Sequence, residues 1–106
     1  MTKNNAQIDL SQLTENAEQA AGLLKAMSNP NRLMILCLLI TKPLSVNEIN
    51  AQVSLSQSAL SQHLAALRKA DLVSTNRSAQ TIFYEVKGDA PKAIIQTLKN
   101  IYCPDL

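Results

Sequence analysis

Tryptophan is absent from the chain, phenylalanine occurs once and tyrosine twice, so any core it forms has to be aliphatic. Glycine is scarce too, two residues in 106, which leaves no glycine-rich loop to cradle a phosphate. The two cysteines, Cys37 and Cys103, do not form a Cys-x-x-Cys pair, and His63 is the only histidine. A four-ligand zinc site within one chain therefore lacks donors. A thiol enzyme would lack a second histidine and a resolving Cys-x-x-Cys. Met1 to Gln7 hold no apolar segment of the secretory kind, and the longest apolar run, Leu33–Ile40, is far too short to span a bilayer. The expectation is a cytoplasmic protein with no membrane partner and no cofactor, its cysteines thiols at rest. Charge is thin as well: 17% of residues are charged and the formal net charge is +2. Such a mildly basic balance permits nucleic-acid binding without indicating it.

What is present is periodicity. After a polar start, residues 1–8, expected to be disordered, the remainder (9–106) is expected to form one domain. Leu10, Leu13, Ala17, Ala21 and Leu24 recur at steps of three and four, the mark of an amphipathic helix. Ser28-Asn29-Pro30 breaks it, with Asn29 suited to cap and Pro30 to open a second helix running to about Ile40. That helix is apolar on nearly every side from Leu33 onward and should be the most buried element. Ser45 with Glu48 three residues later is a capping box, and Leu44 with Ile49 a hydrophobic staple, for a short third helix ending near Gln52.

Only Val53-Ser54-Leu55 separates this short helix from the next one, Ser56 to Lys69. There Leu60, Leu64 and Leu67 form a narrow apolar stripe. The opposite side carries Ser58, Ser61, Gln62, Ala65 and Lys69. An ordinary surface helix favours Glu and Lys, because Ser weakens helices; a helix lying against base edges favours Ser and Gln. Two helices joined by a three-residue turn make a helix-turn-helix. Beyond Ala70-Asp71 the period becomes alternating: Leu72–Arg77 and Thr81–Val86 read as two strands about Ser78-Ala79-Gln80. Gly88-Asp89 then caps a last helix through Tyr102, on which Ala90, Ile94, Leu98 and Ile101 share a face. The order α-α-α-α-β-β-α, mainly helical with one small hairpin, is that of a winged helix-turn-helix.

Three segments together carry a resemblance: Leu24-Lys25-Ala26-Met27-Ser28-Asn29-Pro30-Asn31-Arg32-Leu33, Leu55-Ser56-Gln57-Ser58-Ala59-Leu60-Ser61-Gln62-His63-Leu64, and Arg77-Ser78-Ala79-Gln80 leading to Phe83-Tyr84. With them, from about Ala17 to Cys103, the chain resembles the ArsR/SmtB family of small dimeric winged-helix transcription regulators. Ile35-Leu36-Cys37 and Ile101-Tyr102-Cys103-Pro104 look most like its sulfide- and persulfide-responsive branch, the BigR, SqrR and HlyU-like regulators. The departures are informative. Metal-sensing members carry a Cys-Val-Cys or similar pair where this chain reads Leu44-Ser45-Val46-Asn47-Glu48, and Asp and His ligands on a last helix that here has no histidine. Many relatives have Gly at the wing tip where this chain has Ala79, which argues for a turn that needs no positive φ.

The resemblance implies a homodimer through the first and last helices, its two reading helices roughly 34 Å apart over an inverted-repeat operator in double-stranded DNA. Gln57, Ser58, Ser61 and Gln62 are the candidate base readers. Lys69, Arg77 and Gln80, with Arg32 as a further candidate, would meet phosphates. His63, at the border of the apolar stripe, is expected to pack or cap rather than read a base. By themselves, Cys37 reads as a small buried hydrophobe and Cys103 as an exposed thiol. The resemblance implies that the two lie close and act as a redox-sensing pair, a reactive sulfur species or an oxidant being the inducer. Alternatives are a metal-independent regulator with purely structural cysteines, a thiol enzyme handling persulfide or peroxide, and a winged helix used only for protein contact.

Overall fold

The computed structural model describes residues 8–105. The disorder expected of residues 1–8 thus falls almost wholly outside the described residues. The elements follow in the order α1 (Leu10–Met27), α2 (Pro30–Leu39), β1 (Leu44–Ser45), α3 (Val46–Asn50), α4 (Gln57–Lys69), β2 (Val73–Ser78), β3 (Thr81–Val86) and α5 (Asp89–Tyr102). This is the expected winged helix-turn-helix with one addition. The two-residue strand β1 pairs with β3, so the wing is a three-stranded antiparallel sheet in the order β1-β3-β2. Two residues are too few for an alternating pattern, and these two read equally well as the lead-in to α3.

Local chemistry sets each boundary. Asn29 Oδ1 accepts from the N–H groups of Asn31 (2.9 Å) and Arg32 (3.2 Å), with Pro30 opening α2. At α3 the capping box closes in both directions: Glu48 N–H donates to Ser45 Oγ and Ser45 N–H to Glu48 Oε1. Ser56 Oγ accepts from Ala59 N–H at the head of α4. The other end of α4 turns through Asp71 at φ 64°, where Leu72 N–H donates to the Leu67 carbonyl and Asp71 N–H to that of Arg68. That is a Schellman closure with an aspartate in the position glycine usually takes. Gly88 precedes α5 at φ 91° with no side-chain cap, so the expected capping by Asp89 gives way to an acidic residue in the first turn.

The core is aliphatic. Ile35 and Leu36 of α2, Ile49 of α3, Leu60 and Leu67 of α4 and Ile95 of α5 have no solvent exposure, and Leu64 has 1%. α2 packs against α4, α5 and β3, which bears out its central place, although Met34 on its far side is 47% exposed. Arg32 departs from expectation: its Nη1 donates to the Ala26 carbonyl at 3.0 Å and ties α2 back to the end of α1, so it does not reach outward as a phosphate contact would. Residues 8–22 are all exposed, including Leu10 at 71%. On α5 the core takes Pro91 and Ile95, leaving Ile101 at 62% and Tyr102 at 77% exposure. Within the single chain, Met27 of α1 and Ile95 of α5 enter the core, while the N-terminal part of α1 and the end of α5 leave their apolar side chains uncovered.

The wing tip corrects a second expectation. Ser78 pairs with Thr81 across a two-residue turn, and Ala79 holds φ at 57°. The turn does require the left-handed region, at a cost of roughly 1–2 kcal/mol for a residue with a Cβ. Ala79→Gly should therefore raise stability by about 0.5–1 kcal/mol, the relief being partly offset by glycine's greater freedom when unfolded. Urea unfolding reads this directly; a lower midpoint for the variant would contradict it.

Candidate nucleic-acid interface and thiol cleft

The reading helix is positioned from beneath. With Leu60, Leu64 and Leu67 sealed into the core, a helix of 3.6 residues per turn must direct Ser58, Gln62, Ala65 and Lys69 to the opposite side. Gln57, Ser58, Ser61, Gln62 and Lys69 are all exposed. Ser58 Oγ lies 3.4 Å from the capping Ser56 Oγ, which leaves it further hydrogen-bonding capacity. His63 is half-buried beside the apolar stripe, as expected of a packing residue.

Two hollows face the wing sheet, one beside this helix and one beside α3. The larger, about 370 Å³, is lined by Ser61, Ala65, Arg68 and Lys69 of α4 with Val46 and Tyr84. The smaller, about 260 Å³, is lined by Asn47 at the start of α3 with Gln80, Thr81 and Ile82 of the wing. Arg77 lines neither. The antiparallel register sets Arg77 opposite Ile82 and Thr75 opposite Tyr84. Side chains alternate along a strand, so Arg77 lies on the same sheet face as Tyr84, farther out along the wing. Of the expected contacts, Ser61 and Lys69 line the larger hollow and Gln80 the smaller. Sequence reasoning missed Arg68, Asn47 and Tyr84. Arg68 was within reach, since it follows Ser61 by seven residues and returns to its side of the helix.

Cys37 of α2 and Cys103, just past the end of α5, are 66 positions apart yet line one cleft of about 320 Å³, together with Leu38, Leu44, Lys42 and Lys99. Both are free thiols; Cys37 is half-buried and Cys103 exposed. Burial pushes the Cys37 thiol up, negative charge on Cys103 pushes it further, and the Lys99 ammonium opposes both. Cys103 ends α5 with its N–H donating to the Lys99 carbonyl at 2.8 Å. No group of three or more potential metal-ligating side chains is gathered among the described residues, and no described helix is long and apolar enough to cross a membrane.

A raised value keeps Cys37 protonated at a pH where a free thiol ionises, so it should be the slower nucleophile. With Cys103→Ser isolating it, Cys37 should alkylate with a midpoint above the ordinary 9.0. A midpoint at or below that value in a rate profile with iodoacetamide would contradict the burial argument.

Residues 29–75, which contain α2 through the start of β2, match the family described as bacterial regulatory protein, arsR family. Over 97 residues the chain is 54% identical to the HTH-type transcriptional regulator YgaV of Escherichia coli, covering 91% of this chain and 98% of that protein. Among solved structures, reduced HlyU from Vibrio cholerae superposes with a TM-score of 0.83 at 49% identity, covering 87% of this chain and 97% of that one. The transcriptional repressor BigR from Xylella fastidiosa superposes with a TM-score of 0.82 at 33% identity, covering 91% and 95%. These relatives are regulators, not enzymes. Similarity of this extent, on a fold whose reading helix, turn and wing are all in place, makes the chain a DNA-binding transcription regulator of the ArsR family, in the branch that includes HlyU and BigR.

Proposed function

We propose that residues 9–106 act in the cytoplasm as the DNA-binding and dimerisation domain of a homodimeric repressor, whose hold on DNA is switched by persulfide or oxidant acting on Cys37 and Cys103. The observation that carries the reading half is the outward side of α4: hydrogen-bonding Ser and Gln side chains, all exposed, on a helix whose three leucines are sealed. Gln57 and Gln62 pair with adenine edges, and Ser58 and Ser61 contact bases or phosphates. Lys69, Arg77 and Gln80 contact phosphates, which gives binding its salt dependence. The exposed apolar residues of α1 and of the end of α5 support dimerisation, because a second copy would cover them. A two-fold dimer sets the two readers roughly one turn of DNA, about 34 Å, apart over an inverted repeat.

The shared cleft supports the switch. Cys103, the more accessible thiol, attacks the outer sulfur of a persulfide RSSH; the S–S bond breaks and RSH leaves. Cys37 then attacks the inner sulfur of the Cys103 persulfide and expels hydrogen sulfide. Two thiols and one RSSH give one disulfide, RSH and hydrogen sulfide: the protein thiols are oxidised and the sulfane sulfur is reduced. Each further sulfane sulfur transferred, with RSH leaving, lengthens the bridge by one atom. Either bridge ties α2 to the end of α5 and alters the spacing of the two readers.

Two measurements test this. Treating the reduced dimer with a persulfide donor should lower affinity for the duplex upstream of its own gene by about 5- to 150-fold. The bridge, read in intact mass as the loss of two hydrogens relative to the thiols plus any sulfur retained, should need both cysteines; Cys37→Ser should stop at the Cys103 persulfide and stay bound throughout. Unchanged affinity, or no bridged product in the wild-type protein, would sink the switch. On the reading side, Gln62→Ala should cost about 1–3 kcal/mol at one base pair and relax the preference there. A uniform loss across all operator variants would instead make Gln62 a backbone contact.

A further inference from the structure

The thiol cleft has an electrostatic character that the switch does not by itself require. Two lysines, Lys42 and Lys99, line it, and among the described residues no acidic side chain does. Lys99 is half-buried, although a lysine that makes no ion pair normally extends into water. The only ion pair among the described residues is Lys87–Asp71, which lies elsewhere. Leu38 and Leu44 supply carbon walls, so a charge held between them is less screened than on open surface. Lys99 stands four residues before Cys103, one turn along the same helix, and its charge is felt at Cys37.

We infer that this cleft is a docking site for persulfides of acidic thiols, with Lys99 as the residue that positions the donor's negative charge beside both sulfurs. The inference rests on the persulfide reading above and names the substrate class of that site. Its volume of about 320 Å³ lies in the range of small-ligand pockets. A carboxylate-bearing donor gains from the ammonium groups twice. Its carboxylate is attracted on entry. When the Cys103 thiolate attacks the outer sulfur and the S–S bond breaks, the electron pair leaves on RS⁻, and that anion forms beside Lys99. The leaving thiolate then takes a proton from water. A cationic donor of similar size meets repulsion at the same place.

The test compares two donors, glutathione persulfide, which carries carboxylates, and cysteamine persulfide, which carries an ammonium. The readout is the ratio of their second-order rates of sulfur uptake by the reduced, full-length protein, followed by intact mass. The ratio cancels any change in thiol reactivity common to both. In Lys99→Gln it should fall by about five- to tenfold, and Lys99→Arg should retain it. In the wild-type protein, rising salt should slow the glutathione reaction and not the cysteamine one. DNA affinity of reduced Lys99→Gln should equal that of wild type, since the cleft that Lys99 lines includes no residue of α4; were the variant misfolded, the wild-type salt dependence would decide. A ratio unmoved in Lys99→Gln, or a salt-independent wild-type rate, overturns the docking role and leaves the switch standing. A wild-type protein that takes up no sulfur from either donor overturns both.

Discussion

The burial of α2 is the constraint on which the rest of the molecule depends. With one phenylalanine and two tyrosines in the chain, no large side chain can bridge a gap, and contact must come from close aliphatic packing. Ile35, Leu36 and Leu39 supply it, between α4 on one side and α5 on the other. Removing one such side chain from a core typically costs about 2–5 kcal/mol, against roughly 5–15 kcal/mol for a whole small domain. The three leucines beneath α4 belong to the same cluster. The orientation of the reading helix is therefore a consequence of the core and not a separate feature of the surface.

The same helix carries Cys37 on its less buried side, so one rigid element touches both the thiol cleft and the underside of α4. Leu44 makes a second link. It lines the thiol cleft, pairs with Tyr84 through β1, and precedes the serine that caps α3. Tyr84 in turn lines the hollow beside α4. A covalent tie between α2 and the end of α5 would thus act where wing, turn and reading helix are braced. Close-packed interiors do not deform continuously, so a local tie is relayed as a rigid shift of elements.

Much of this was legible in the residues. The caps at Asn29, Ser45 and Ser56 marked three helix starts, because each leaves a short polar side chain where backbone N–H groups need an acceptor. The leucine stripe of α4 and the alternation of the hairpin followed from the same reasoning. The outer-face readers are exposed where the stripe required them to be. What stayed hidden was set by tertiary context. β1 exists only because β3 is there to pair with it. Ala79 takes a left-handed backbone because a two-residue turn between paired strands demands one, whatever residue occupies it. Arg32 resembled the other cations until the Ala26 carbonyl proved to be its partner. The meeting of Cys37 and Cys103 could not be derived from spacing at all; it depends on α5 folding back along α2, and only the family resemblance pointed to it.

The modest charge of the chain bears on how a switch of this kind can work. A net charge of +2 is small for a protein that holds a polyanion, and the nearby cations, Arg68, Lys69 and Arg77, are few. One protomer alone would hold DNA weakly, and specific affinity in the proposed dimer comes from two readers engaging at once. Simultaneous engagement is sensitive to geometry, because the second contact gains only if its half-site lies within reach. Had each protomer carried a dense basic patch, a small change in spacing would leave most of the affinity intact. In the proposed switch, the thin charge of the chain would let a tie between Cys37 and Cys103, remote from the duplex, release the DNA without touching it.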